Sequence, residues 1–142
     1  MDMAKYRVIF IEESMEHLVE MSSAMLELEK NLANVEAIDL FFRMAHSIKG
    51  MAASLQYDSI AEVAHRLEDR MQEIRSLGCI ESPDELALLF RGLECLEAMV
   101  ASVRETGEAP APDPELVAVL TPGAAEPLGA DASKKKALSP AL

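Results

Sequence analysis

Residues 1 to 106 predict an all-α domain, an antiparallel up-down bundle of four helices, and three observations carry that prediction. Apolar residues recur at alternating spacings of three and four, no segment bounded by turn residues alternates with period two, and the helical segments are joined by only a few residues. Short connections force neighbouring helices to reverse direction, so four narrow apolar stripes face one core. Half of the 142 residues are hydrophobic and 27% are charged, which suits one soluble domain with a real core.

The first helix is expected from about Lys5 to Asn31, with Ile11, Ser14, Leu18, Met21, Met25, Leu28 and Leu32 on one face and acidic residues on the others. A break at Ala33 and Asn34 follows, Asn34 being suited to cap the next helix. That second helix carries the stripe Ile38, Phe41, Ala45, Ile48, Ala52 and Leu55. A third begins at Ser59, whose spacing to Glu62 makes a capping box, and runs through Ile60, Val63, Leu67, Met71 and Ile74 to Gly78. The fourth has the clearest start signal, with Ser82, Pro83 and Glu85 at the cap, first and third helical positions, and its stripe runs from Leu86 to Val103.

Composition changes at Gly107. Six of the seven prolines lie in residues 107 to 142, which contain no aromatic residue, so this stretch reads as a flexible Pro/Ala-rich linker. Within it only Pro114 to Leu120 has the makings of a short fifth helix, and that segment is weakly apolar.

A net charge of −12 repels phosphate backbones and anionic lipid surfaces, so neither nucleic acid nor a membrane is an expected partner. The longest apolar run near the start, Val8 to Ile11, makes neither a signal peptide nor a membrane span. Cys79 and Cys95 match no zinc or CxxC spacing, and a chain of this size does not depend on one disulfide, so a cytoplasmic location is expected.

The informative polar residues begin on the second helix. His46 lies off the Phe41, Ala45, Ile48 stripe and shares a face with Lys49, Gly50 and Ala53. Glycine inside a helix costs about 0.8–1 kcal/mol relative to alanine, so Gly50 calls for a reason: close approach of another molecule beside His46, or a helix crossing. On the third helix His65 and Glu68, three apart, lie off the apolar stripe on one face. A carboxylate that accepts a hydrogen bond from imidazole Nδ1 fixes the tautomer with Nε2 unprotonated and outward, and makes that nitrogen a better nucleophile. Lys49 would neutralise a phosphoryl oxygen. The bland alternative pairs Glu68 with Arg75 or Lys49 on a solvated face.

The segment Ala45-His46-Ser47-Ile48-Lys49-Gly50-Met51-Ala52, preceded by Phe42-Arg43 and followed by His65-x-x-Glu68, resembles the histidine phosphotransfer domain at the N-terminus of chemotaxis-type histidine kinases. The resemblance covers residues 1 to about 106. It implies that His46 accepts a phosphoryl group, with Glu68 as its orienter, Lys49 as an electrostatic helper and His65 as a further member of the hydrogen-bond network. It also implies two partners, a kinase catalytic domain of the same protein and the receiver domain of a response regulator, in chemotaxis or motility signalling. On that reading this chain is a fragment of a histidine protein kinase, and residues 107 to 142 lead towards kinase domains. It needs no cofactor or metal of its own, ATP and magnesium being supplied by the kinase, and no motif here would bind ATP. Phe42, Gly50, Met51 and Ala53 are the expected docking surface around His46. Two departures from the family pattern are Met51, where many members have glycine, and a fifth helix shorter than expected.

Two readings from other classes compete. A helical adaptor that works without phosphorylation would keep the bundle. A metal-binding bundle is suggested by Glu62-x-x-His65, but such sites need two of these motifs, and Ser14 and Arg43 stand where His17 and His46 would need glutamate.

Overall fold

The computed structural model describes residues 2–121. The described residues form five helices: α1 Met3–Lys30, α2 Val35–Ser54, α3 Asp58–Leu77, α4 Pro83–Thr106 and α5 Pro114–Leu120. The first four make the expected bundle, with α1 packed on α2 and α4, and α3 on α2 and α4. The α1–α2 and α3–α4 connections meet at one end, where the Ile80 amide donates to the Leu32 carbonyl at 2.9 Å.

Local signals explain most boundaries. The Asn34 side chain accepts from the Ala37 amide at 3.1 Å, and Ser82 Oγ accepts from the Glu85 amide at 3.2 Å, as the cap residues predict. Helix α1 starts two residues earlier than expected because Asp2 caps it, accepting from the Lys5 amide. The capping box expected at Ser59 is absent. Helix α3 begins at Asp58, behind a Tyr57 that makes no side-chain cap. Ser59 is therefore already inside the first turn, where the Asp58 carboxylate favours the helix dipole instead.

The core is built from the predicted stripes, with Met21, Phe41, Ile48, Ile60, Leu67, Leu89 and Leu96 fully buried. At the start of α1 the inward residue is Phe10 rather than Ile11, and its ring lies 5.3 Å from that of Tyr57. Between α3 and α4 the helices touch at one tight point. A Cβ built at Gly92 would lie 2.5 Å from Leu67 Cδ2, so the side chain of Leu67 fills the space that any larger residue at 92 would need.

Helix α5 forms and packs on α3 and α4, although its sequence is weakly apolar. Leu116 and Leu120 are buried, each worth roughly 1.5–3 kcal/mol of transfer free energy. Arg70 completes the attachment: its Nη1 donates to the carbonyls of Val119 and Leu120 at 3.0 and 3.1 Å, while Nε and Nη2 pair with both oxygens of Glu85 at 2.8 and 2.5 Å. Residues 114–120 of the stretch read as a linker are thus helical and packed, and residues 122–142 lie outside the described residues.

Candidate functional site

Helix α2 is anchored by Ala45 and Ile48, both fully buried, which turns the intervening positions outward. His46 therefore stands on the surface with 63% of its side chain exposed, facing Glu68 of α3, whose side chain is only 10% exposed. Imidazole Nδ1 is 2.5 Å from Glu68 Oε2, and Lys49 Nζ is 2.6 Å from Glu68 Oε1. One buried carboxylate thus takes a different nitrogen on each oxygen.

The protonation pattern follows from the donors. Burial pushes the Glu68 carboxyl up, but hydrogen bonds from Lys49 and His46, with their charges, outweigh it and hold the group below its ordinary value. An ionised carboxylate only accepts, so Nδ1 carries the imidazole proton and donates it to Oε2. In the neutral form of the ring Nε2 is then the lone-pair nitrogen, on the side away from Glu68. Lys49, 29% exposed, meets the other oxygen of the same carboxylate, so the arrangement sets an imidazole nucleophile and an amine one turn apart on α2 against one anion.

The structure brings together His46, Glu68 and Lys49. His65 does not join them. Its Nε2 is 3.3 Å from Asp69 Oδ2, one turn along α3, and both side chains are largely exposed. The expectation that His65 belongs to the network therefore needs correction. Glu68 leans towards His46 and Lys49 of α2, leaving His65 to the carboxylate four residues on.

The expected docking residues divide. Gly50 and Ala53 are exposed, and a Cβ at Gly50 would meet nothing within 4 Å, so its small size serves no helix crossing among the described residues. Phe42 is half-buried and nearly parallel to the His46 ring, at 13° and 6.5 Å between centroids. Met51 packs against the core rather than standing free.

Arg75 was a candidate partner for Glu68, yet its guanidinium lies 4.3 Å from the centroid of the Phe42 ring and 3.4 Å from Asp39. Asp39 also holds Arg43, at 3.0 Å. The i, i+4 spacing of Asp39 and Arg43 is readable in the sequence, whereas the reach of Arg75 across to α2 is not. Among the described residues there is no cluster of three metal-ligating side chains, and no helix is long and apolar enough to cross a membrane. Both cysteines are free.

Comparison with known proteins identifies the family and agrees with the fold. The Hpt domain family model matches residues 5–106. The chemotaxis protein CheA of Bacillus subtilis is 38% identical over 108 residues, which are 76% of this chain and 16% of that protein, so the chain spans about a sixth of the relative's length. The CheA phosphotransferase domain from Thermotoga maritima superposes with a TM-score of 0.67 at 32% identity, over 73% of this chain and 98% of that one. The phosphorylated P1 domain of CheA3 in complex with CheY6 from R. sphaeroides has the same fold, with a TM-score of 0.67 at 19% identity, over 73% of this chain and 81% of that one. With a family match across most of its length, and the bundle and motif in place, the chain belongs to the Hpt domain family.

Proposed function

We propose that this domain is a phosphoryl carrier and that His46 is its acceptor. A kinase catalytic domain presents ATP with magnesium, Nε2 of His46 attacks the γ-phosphorus, an N–P bond forms, and the bond to the bridging oxygen breaks to release ADP. In the second transfer an aspartate oxygen of a response-regulator receiver domain attacks the phosphorus and the N–P bond breaks. The setting is chemotaxis or motility signalling in the cytoplasm, and the kinase domain belongs to the same longer protein. What carries the reading is the short Nδ1–Glu68 hydrogen bond on a ring otherwise open to solvent, which leaves Nε2 unprotonated and accessible.

In this reading Glu68 orients the ring and offsets the positive charge that builds on it as phosphorus is attacked. Lys49 neutralises a phosphoryl oxygen, and the exposed surface at Gly50 and Ala53 admits the partner's active site. Positioning and charge neutralisation are the means by which phosphoryl transfers are accelerated, and the carrier brings no metal to them.

The test is incubation with a CheA kinase catalytic domain and labelled ATP, followed by assay for an acid-labile, base-stable phosphate. The wild-type chain is expected to take up label. His46→Gln should take up none while keeping its helical melting curve, because the side chain lies outside the core. Full labelling of that variant would move the acceptor to another residue.

A further inference from the structure

We propose that Arg75 is a positioning residue for phosphoryl transfer, holding the Phe42 ring as the wall that sets the plane of the His46 imidazole. This rests on His46 being the acceptor. A single hydrogen bond from Nδ1 to Glu68 fixes the reach of the ring towards α3, but its angular tolerance leaves the ring room to rock about the Cβ–Cγ bond. The second constraint is an aromatic face. Phe42 sits one turn earlier on α2 with its ring inclined by only 13° to the imidazole, so it opposes that turning motion.

Phe42 is itself only half-buried, and the core alone does not hold its outer face. Arg75 covers that ring, with its guanidinium carbon 4.3 Å from the centroid. The guanidinium is held in turn by Asp39, 3.4 Å from Nη2, and by Gln72, to which Nη1 donates at 3.3 Å. Asp39 is steadied by Arg43 on its other oxygen. A planar guanidinium can lie on a ring and bond at its edges together, which an ammonium cannot.

These contacts are 39% and 40% exposed at Arg75 and Asp39, so they add little to stability. Orientation is where they count, since a misplacement of about 1 Å at a reacting centre costs a factor on the order of 100.

The experiment compares Arg75→Ala, Arg75→Lys and the wild-type chain as substrates of a CheA kinase catalytic domain, and records the ring-proton NMR signals of His46 without any phosphoryl donor. Arg75→Ala is expected to move those signals, because the ring current of Phe42 no longer falls on them as before. It should lower kcat about three- to tenfold with KM for the chain unchanged. Arg75→Lys should recover only part of the loss, and Asp39→Asn, which leaves both Arg75 and Phe42 in place, should lose about twofold.

An unchanged kcat overturns the proposal. So does a loss confined to KM, which would make Arg75 a docking contact, and so does a fall in kcat with the His46 signals unmoved. Should Arg75→Ala melt below the assay temperature, Asp39→Asn decides by the same two readouts. Labelling of His46→Gln would instead overturn the acceptor assignment, and the NMR comparison, which needs no phosphoryl group, stays separate from that result.

Discussion

Glu68 and Glu85 each face side-chain nitrogens across a helix pair, yet one assembly ends in an open ring nitrogen and the other in a closed clamp. At Glu85 every partner is used up: Arg70 gives two bonds to the carboxylate and two to the carbonyls at the end of α5, and the two side chains are only 16% and 21% exposed. At Glu68 a nitrogen also lies close to each oxygen, but one of these partners is an imidazole on a side chain that is 63% exposed. The difference lies in what remains after pairing. A saturated ion pair can only hold structure, whereas a buried carboxylate that orients an exposed heterocycle holds a reactive atom in place.

The comparison breaks most visibly at Arg70. Replacing it by methionine strands a half-buried carboxylate and two carbonyls, and Arg70→Met should cost about 2 kcal/mol, less than a fully buried pair because water reaches this one. Thermal melts should show the loss, and amide exchange in α5 should rise, while phosphoryl transfer per folded molecule stays at the wild-type rate. A transfer defect in this variant would merge the two assemblies into one.

The converse substitution is Glu68→Gln. The amide can still accept the Nδ1 hydrogen bond but lacks the charge, so transfer should fall about tenfold without vanishing. It should also change the response to acid. Because the carboxyl of Glu68 is held below its ordinary value of 4.5 in the folded chain, its contribution to stability is present above that value and is lost as pH falls through the lowered folded one. Melting curves taken below pH 5 should therefore decline less steeply in Glu68→Gln than in the wild type.

A smaller effect is expected at Gly50. With nothing near its would-be Cβ, Gly50→Leu should be as stable as the wild type or up to about 1 kcal/mol more stable. The side chain would stand beside the imidazole, where a partner's active site must enter, and labelling should slow several-fold. Equal labelling at equal stability would remove close approach as the reason for glycine.

The smallest effect belongs to His65→Gln. Its ring pairs with Asp69 on a wet face and touches neither Glu68 nor Lys49, so the labelling rate should change less than about twofold. A larger loss would return His65 to the machinery around His46.

Why these two assemblies differ in legibility is a matter of range. His46, Lys49 and Glu68 were readable because each is placed by the helical period of its own segment and because consecutive antiparallel helices are neighbours. The clamp was missed because Arg70 reaches residues 15, 49 and 50 positions away, and no local pattern encodes those distances. For the same reason α5 looked too weakly apolar: its attachment depends on a guanidinium from another helix as well as on Leu116 and Leu120. Phe10 was missed in favour of Ile11 because adjacent apolar residues leave the facing side open until Tyr57 supplies a partner. His65 was misplaced because sharing a face with Glu68 does not decide which way a carboxylate leans when His46 and Lys49 stand opposite.

Gly92 works like the detent of a slide. The notch it leaves on α4 is occupied by the Leu67 side chain, whose Cδ2 sits 2.5 Å from where a Cβ would be, so sliding α3 along its axis would draw that side chain out of its place. Leu67 immediately precedes Glu68, so the level at which the carboxylate meets the imidazole is set from behind, by an atom missing on a helix that never approaches the reacting nitrogen. Filling the notch would be felt as a vertical offset between α2 and α3, and substitutions on the far wall of the bundle would then reach His46 by shifting its carboxylate partner along the axis.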